Sequence, residues 1–235
     1  MSAQPPVVVF VHGALVRDGS WWWRPTADLL AERTGVRSVA VALPSCGETG
    51  ARGGDLQDDA AALRAVLDAH EDVVLVGHSY GGTVIAEAGA HPSVRHVVLV
   101  SSYTPEPGAS QGSIMQGEPD PVAVRVDDGR VVLDGYDPAS FGARFLQDAD
   151  EAAQRDAFAR TTSQDAAAFG TATTHSGWAD VDSTAVVCTE DRSTTVALQR
   201  SHAARATHVV ELPTGHHPFT SHPDLVVGLL EPLVA

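Results

Sequence analysis

VVLVGHSYGG, residues Val73 to Gly82, decides how this chain is read. Its apolar, mostly β-branched start is the pattern of a buried strand, and it runs into Gly77-His78-Ser79-Tyr80-Gly81 and then into apolar residues at helical spacing. A serine held on a tight strand-to-helix turn needs small residues two positions to either side, because larger side chains would collide there. Gly77 and Gly81 meet that need. The turn also puts Ser79 at a helix N-terminus, where free backbone N–H groups favour developing negative charge. A bare G-x-S-x-G arises by chance. Bracketed by a strand and a helix, it marks Ser79 as a candidate nucleophile and makes Tyr80, the next residue, a candidate donor of a backbone N–H to an oxyanion.

Such a site needs a second amide from the loop after an early strand. VVVFVHGA, Val7 to Ala14, offers Ala14, with His12 expected to pack and shape the loop. A general base must reach the same sheet edge, and LPTGHHPFTSHP after the last strand pattern holds two contenders, His216 and His217. No H-E-x-x-H or carboxylate-bearing spacing accompanies them, so no metal site is expected. The acid should lie between nucleophile and base. The Ala185–Cys188 strand pattern ends in Thr189-Glu190-Asp191, of which Asp191 lies further into the loop and Glu190 reads as a solvated neighbour. Asp180 and Asp182 precede that strand and would emerge at the wrong end.

Further strand patterns lie at Val7–Val11, Val36–Leu43, Val97–Val100 and Val209–Leu212, and helical patterns at Ala27–Arg33, Asp55–Ala69, Thr83–Ala90, Val196–Ala206 and Asp224–Leu233. This alternation predicts an α/β protein with a mostly parallel sheet covered by helices on both faces. The rhythm breaks from about Tyr103 to Trp178, where TPEPGASQGS leads to a hairpin pattern, VRVDDGRVVLDG, and a helical run near Phe141–Phe158. Too polar and short for its own core, this stretch reads as a cap inserted above the C-terminal edge of the sheet. The expectation is one domain over 1–235, with core 1–102 and 179–235 and cap about 103–178.

A chain of 235 residues, 43% hydrophobic, can bury one substantial core. Its formal charge of −15 repels phosphate backbones and anionic bilayers, so neither nucleic acid nor membrane is expected as a partner. All the basic residues are arginines; without lysine there is no Schiff base, Ser-Lys dyad or P-loop. Two distant cysteines, Cys46 and Cys188, and an N-terminus without a signal-peptide pattern point to the cytoplasm.

Together, FVHGA, GHSYGG, TEDRSTTVALQ and GHHPFTSHP resemble the α/β-hydrolase superfamily, in particular its small branch of plant methyl esterases and hydroxynitrile lyases. In that branch the acid is followed eight residues later by Gln, as Asp191 is by Gln199, and the base stands seven residues before Pro, as His216 does before Pro223. Both registers favour Asp191 and His216, leaving His217 to line the pocket. The lyases carry a threonine and a lysine where this chain has Gly13 and His217, so it resembles the esterase side. The resemblance implies the α/β-hydrolase fold, no cofactor and an apolar pocket under the cap. A serine hydrolase is expected, cleaving a small to medium, largely apolar carboxylic ester. Lactone opening, perhydrolysis, carbon–carbon cleavage or lyase chemistry on the same triad are the alternatives, as is a non-catalytic sensor. Pocket candidates are Trp21, Tyr103, Met115, Tyr136, Phe141 and Trp178, with Trp21, Trp22 and Trp23 also suited to packing the first helix on the sheet.

Overall fold

The computed structural model describes residues 5–50 and 53–235. In chain order the first half forms β1 (Val7–Val11), α1 (Gly19–Thr34), β2 (Arg37–Ala40), α2 (Leu56–Leu67), β3 (Val73–His78), α3 (Tyr80–Ala88) and β4 (Val94–Val100). The middle segment carries α4 (Gln111–Met115), β5 (Val124–Asp127), β6 (Arg130–Leu133), α5 (Pro138–Phe145), α6 (Glu151–Phe158), β7 (Gln164–Asp165) and α7 (Ala166–Gly170). The chain then returns through β8 (Ser183–Cys188), α8 (Val196–Ala203), β9 (His208–Leu212), α9 (Pro218–Ser221) and α10 (Pro223–Val234).

Six strands pair in parallel in the order β2-β1-β3-β4-β8-β9. β1 and β3 are buried along their whole length, which is why they read as continuous apolar runs rather than alternating ones. Alternate side chains serve opposite faces. Val8, Phe10, Val74 and Val76 meet Trp22, Trp23 and Leu230, whereas Val9, Val11, Val73 and Leu75 meet α2 and α3 through Leu56, Leu63, Val84 and Ile85. Trp23 stacks on Phe10 at 4.4 Å and on Phe219 at 3.8 Å, fastening α1 to the sheet and to α9. Each such pair adds roughly 0.5–1.5 kcal/mol beyond its buried area.

After β1 the chain turns outward to β2, and after β3 it proceeds the other way to β4. The loops after β1 and β3 therefore separate at a topological switch point, which opens a crevice at the C-terminal ends of the strands. Over it, β5, β6 and β7 form a separate antiparallel sheet. No helix among the described residues is long and apolar enough to cross a membrane.

Several boundaries depart from the sequence reading, three of them for a plain local reason. The strand expected over Val36–Leu43 ends at Ala40, because the chain bends into a 3-10 turn at Pro44–Cys46. The helical run at Phe141–Phe158 is two helices. Leu146 leaves the helical conformation, and Asp150 caps a new helix by accepting the Ala153 amide. The first helix starts at Gly19, well before Ala27, because Asp18 caps it through the Trp21 amide.

Candidate active site

Ser79 joins β3 to α3 with φ 50° and ψ −121°, a conformation costly for a residue with a Cβ and stable only where its surroundings dictate it. Those surroundings are tight. A Cβ on Gly81 would lie 2.5 Å from the Val11 carbonyl oxygen, and one on Gly77 would lie 3.1 Å from the Gly81 carbonyl carbon. Ser102 Oγ donates to the Ser79 carbonyl at 2.6 Å and holds the turn from β4. Gly13 passes over the elbow so closely that a Cβ there would sit 2.9 Å from His78 Nδ1. Ala14 and Ser79 thus face one cavity. Among the described residues neither the Ala14 nor the Tyr80 amide donates to a turn, loop or side-chain acceptor, and Tyr80, first in α3, has no partner in the preceding turn.

Asp191 follows β8 and His216 follows β9, and their contact spans neighbouring strands. His216 Nδ1 donates to Asp191 Oδ2 at 2.7 Å. The same oxygen accepts from Ser101 Oγ at 2.6 Å and Gln199 Nε2 at 3.0 Å, while Oδ1 accepts the Ser193 and Thr194 amides at 2.7 and 3.0 Å. Burial alone would raise the Asp191 carboxyl, but the neighbouring His216 and these donors outweigh it and hold it below the ordinary aspartate value. Ser101, itself at φ 41°, also lies 3.1 Å from His216 Nδ1. His78 Nε2 donates to the His216 carbonyl at 2.9 Å, and Asp148 accepts the Gly215 amide at 2.8 Å, so two further groups steady the loop of the base. Among the described residues no hydrogen bond joins Ser79 Oγ to His216, although both line the cavity. Such bonds are often long before substrate enters.

His217 points elsewhere. Its Nδ1 donates to the Phe145 carbonyl at 2.9 Å and its ring stacks on Trp22 at 4.8 Å. Burial, then the neighbouring His216, push its pKa down to about 3, so it stays neutral. The rings of His78, His216 and His217 pack at centroid distances of 4.5, 4.6 and 4.8 Å. One nitrogen from each lies within 4.8 Å of the others, a set that a borderline cation such as zinc could engage.

His12 has both ring nitrogens on acceptors, the Gly13 carbonyl at 2.8 Å and Glu48 Oε2 at 2.5 Å. Two acceptors require two protons, so the ring is an imidazolium. Burial opposes that charge, but Glu48 outweighs it and raises the His12 pKa. Glu48 is lowered to about 2, its own burial being overcome by His12 and by the Leu43 and Asp18 amides.

The cavity holds about 320 Å³. Its walls are apolar, with Met115, Val131, Leu133, Phe141, Phe145 and Phe169 contributing, and no charged side chain lines it. Tyr103 reaches it with its hydroxyl 3.0 Å from Thr194 Oγ1; burial pushes this phenol up to about 12 despite the hydrogen bond to Thr194, so it stays protonated. Of the pocket candidates, Tyr103, Met115, Phe141 and His217 line the cavity, and Trp21, Tyr136 and Trp178 do not. Trp21 sits on the outer side of α1, edge-on to Trp22 and with the Arg160 guanidinium 4.1 Å over its ring. Trp178 is buried as a tether, its Nε1 donating to the Pro105 carbonyl at 3.0 Å. Glu190 lies exposed, and Asp180 and Asp182 stand at the far end of β8.

A model described as the alpha/beta hydrolase family matches residues 8–229. The chain belongs to the alpha/beta hydrolase family. An alpha/beta hydrolase of Aspergillus novofumigatus is 26% identical over 243 residues, covering 96% of this chain and 95% of its own. Methylesterase 8 of Arabidopsis thaliana is 34% identical over 116 residues, 46% of this chain and 42% of that protein. Among solved structures, a pyrethroid hydrolase from Sphingobium faniae JZ-2 superposes with a TM-score of 0.80 at 22% identity, covering 97% of each chain, and shares the fold. The resemblance to the methyl esterase branch and the α/β fold expected from the sequence are thus both found. Relatives with hydrolase and esterase names place the chain among hydrolases of this family.

Proposed function

We propose that this chain is a serine carboxylesterase in which Ser79 attacks an ester carbonyl, His216 takes its proton and Asp191 holds the imidazole with Nδ1–H turned away from the nucleophile. The amides of Ala14 and Tyr80 bind the oxyanion, the protonated His216 releases the alcohol, and water cleaves the acyl-enzyme by the same route. The observation that carries the reading is the Asp191–His216 pair beside a cavity into which Ser79 is turned by a strained elbow. Residues 103–178 act as a cap on a single domain and wall the cavity. Its volume and uncharged lining suit a small to medium, largely apolar ester. Cys46 and Cys188, both buried and free, agree with a reducing cytoplasm.

The test is a panel of esters, thioesters and lactones of graded acyl length, run on wild type and Ser79→Ala, with a fluorophosphonate probe. Expected are turnover of short apolar esters, labelling at Ser79 and a loss on the order of 10⁴-fold or more in the variant. Labelling at another serine, or a variant as active as wild type, overturns the mechanism.

A further inference from the structure

Asp59 takes no part in the proposed triad, yet its carboxylate is fully buried in the first turn of α2. Oδ1 accepts the Ser45 amide at 2.9 Å, and Oδ2 accepts Ser45 Oγ at 2.6 Å and Tyr80 Oη at 2.8 Å. Ser45 Oγ in turn accepts Gln164 Nε2 at 2.9 Å, and Gln164 Oε1 accepts the Leu15 amide at 3.0 Å. Ser45, Asp59, Tyr80 and Gln164 are all inaccessible to water. The chain of bonds begins at the residue after Ala14 and ends at the side chain of Tyr80, the two residues whose amides are assigned to the oxyanion. Every donor along it points toward Asp59, so the three bonds from Leu15 through Gln164 and Ser45 polarise one another in one sense, and Tyr80 closes on the same carboxylate from the other side.

Leu15 is where the network has something to hold. Its φ is 61°, a left-handed conformation that a leucine leaves unless its neighbours forbid it. Its amide is held by Gln164, its carbonyl accepts the Thr162 amide at 2.9 Å, and Val16 bridges Thr161. All three partners belong to residues 161–164, the run into β7. β7 pairs with β6 through Val131↔Gln164, and Val131 and Leu133 of β6 wall the cavity.

We propose that Gln164 is a positioning residue for the oxyanion hole. Through Leu15 it holds the Ala14 amide on target, and through Ser45 and Asp59 it locks that loop to Tyr80, making the cap part of the catalytic geometry. The inference rests on the assignment of the Ala14 and Tyr80 amides made under the proposed function. It implies that the cap does more than wall off substrate, because the strand that lines the cavity also sets the oxyanion loop.

Gln164→Leu keeps the size and removes both hydrogen bonds. The expected result is a kcat about 10- to 100-fold lower with KM changed less than about threefold, since misplacing an oxyanion donor costs less than the 10²–10³ lost on deleting one. The affinity of an alkyl trifluoromethyl ketone should fall in proportion to kcat/KM. In that adduct Ser79 Oγ bonds to the carbonyl carbon, its proton passes to His216, and the oxygen left negative reports on the hole. Tyr80→Phe deletes a single oxygen from the same network and should shift kcat and ketone affinity in the same direction by a smaller factor, so the inference stays testable if Gln164→Leu folds poorly. Amide hydrogen exchange at Leu15 should be at least about tenfold faster in Gln164→Leu than in wild type. An unchanged kcat and ketone affinity in both variants, or unchanged Leu15 exchange, overturns the inference. A wild type that turns over no ester overturns the hydrolase reading instead, and Leu15 exchange alone then decides whether Gln164 holds the loop.

Discussion

Asp191→Asn should abolish most turnover, and the structure says by which route. Asp191 Oδ1 accepts two backbone amides, those of Ser193 and Thr194, whose positions are set by the turn leading into α8. An asparagine must present its carbonyl oxygen to those two donors, because its NH₂ there would face N–H against N–H. The NH₂ then falls where Oδ2 was, against His216 Nδ1, Ser101 Oγ and Gln199 Nε2. Ser101 can turn its hydroxyl to accept, but His216 can accept from the NH₂ only by moving its proton from Nδ1 to Nε2. The imidazole then offers Ser79 an N–H instead of a lone pair. A change of tautomer in a comparable triad is worth about 10⁴ in turnover, or roughly 5.5 kcal/mol at 1.36 kcal/mol per decade. Loss of the negative charge beside the imidazolium acts in the same direction. The assay is kcat on a p-nitrophenyl ester at about pH 8, above the ordinary histidine range, with Glu190→Gln in parallel. Glu190 sits exposed at the loop surface, so its replacement should stay within about threefold. Retention of more than a tenth of wild-type kcat in Asp191→Asn, or a crippling effect of Glu190→Gln, would refute the reasoning.

Three further outcomes are expected. His216→Ala should be nearly inactive, whereas His217→Ala should keep the chemical step and alter substrate preference, since His217 is neutral and bonded to the Phe145 carbonyl; parallel kcat and KM values on several esters decide, and an essential His217 reverses the assignment. Glu48, lowered to about 2 from an ordinary glutamate value of about 4.3, stabilises the fold fully above the higher value and loses that contribution as pH falls toward the lower one. Glu48→Gln should therefore cost about 3 kcal/mol near pH 6 in urea unfolding and about half that near pH 3, and an equal gap at both pH values would exclude a charged His12–Glu48 pair. EDTA should leave ester turnover unchanged and added zinc should inhibit it, because a cation on the histidine cluster competes for the lone pair that must accept the Ser79 proton; loss of activity on chelation, restored by zinc, would mean that the mechanism needs a metal.

Much of the molecule was legible in the sequence because it is encoded locally. The elbow is a spacing of Gly77, Ser79 and Gly81 within five residues, and the strands are apolar runs buried on both faces, which betray themselves without knowledge of their neighbours. That Ser79, Asp191 and His216 lie just after β3, β8 and β9 follows from the same reading, since each follows an apolar run. What those positions share was not local. A parallel sheet brings together the C-terminal ends of strands far apart in the chain, so the contact of Ser101 with Asp191, 90 residues on, exists only because β4 pairs with β8. A serine after a strand carries no mark of that. Gln164 and Asp59 are likewise ordinary polar residues until the fold encloses them, and burial turns them into a network that must be satisfied. Direction was hidden too: Trp21, Trp22 and Trp23 are one composition, but helix geometry sends Trp22 and Trp23 to the core and Trp21 toward Arg160. Local spacing determined which residues could carry chemistry; the pairing order of the strands and the enclosure by the segment above them decided which of those residues meet and which hold the others in place.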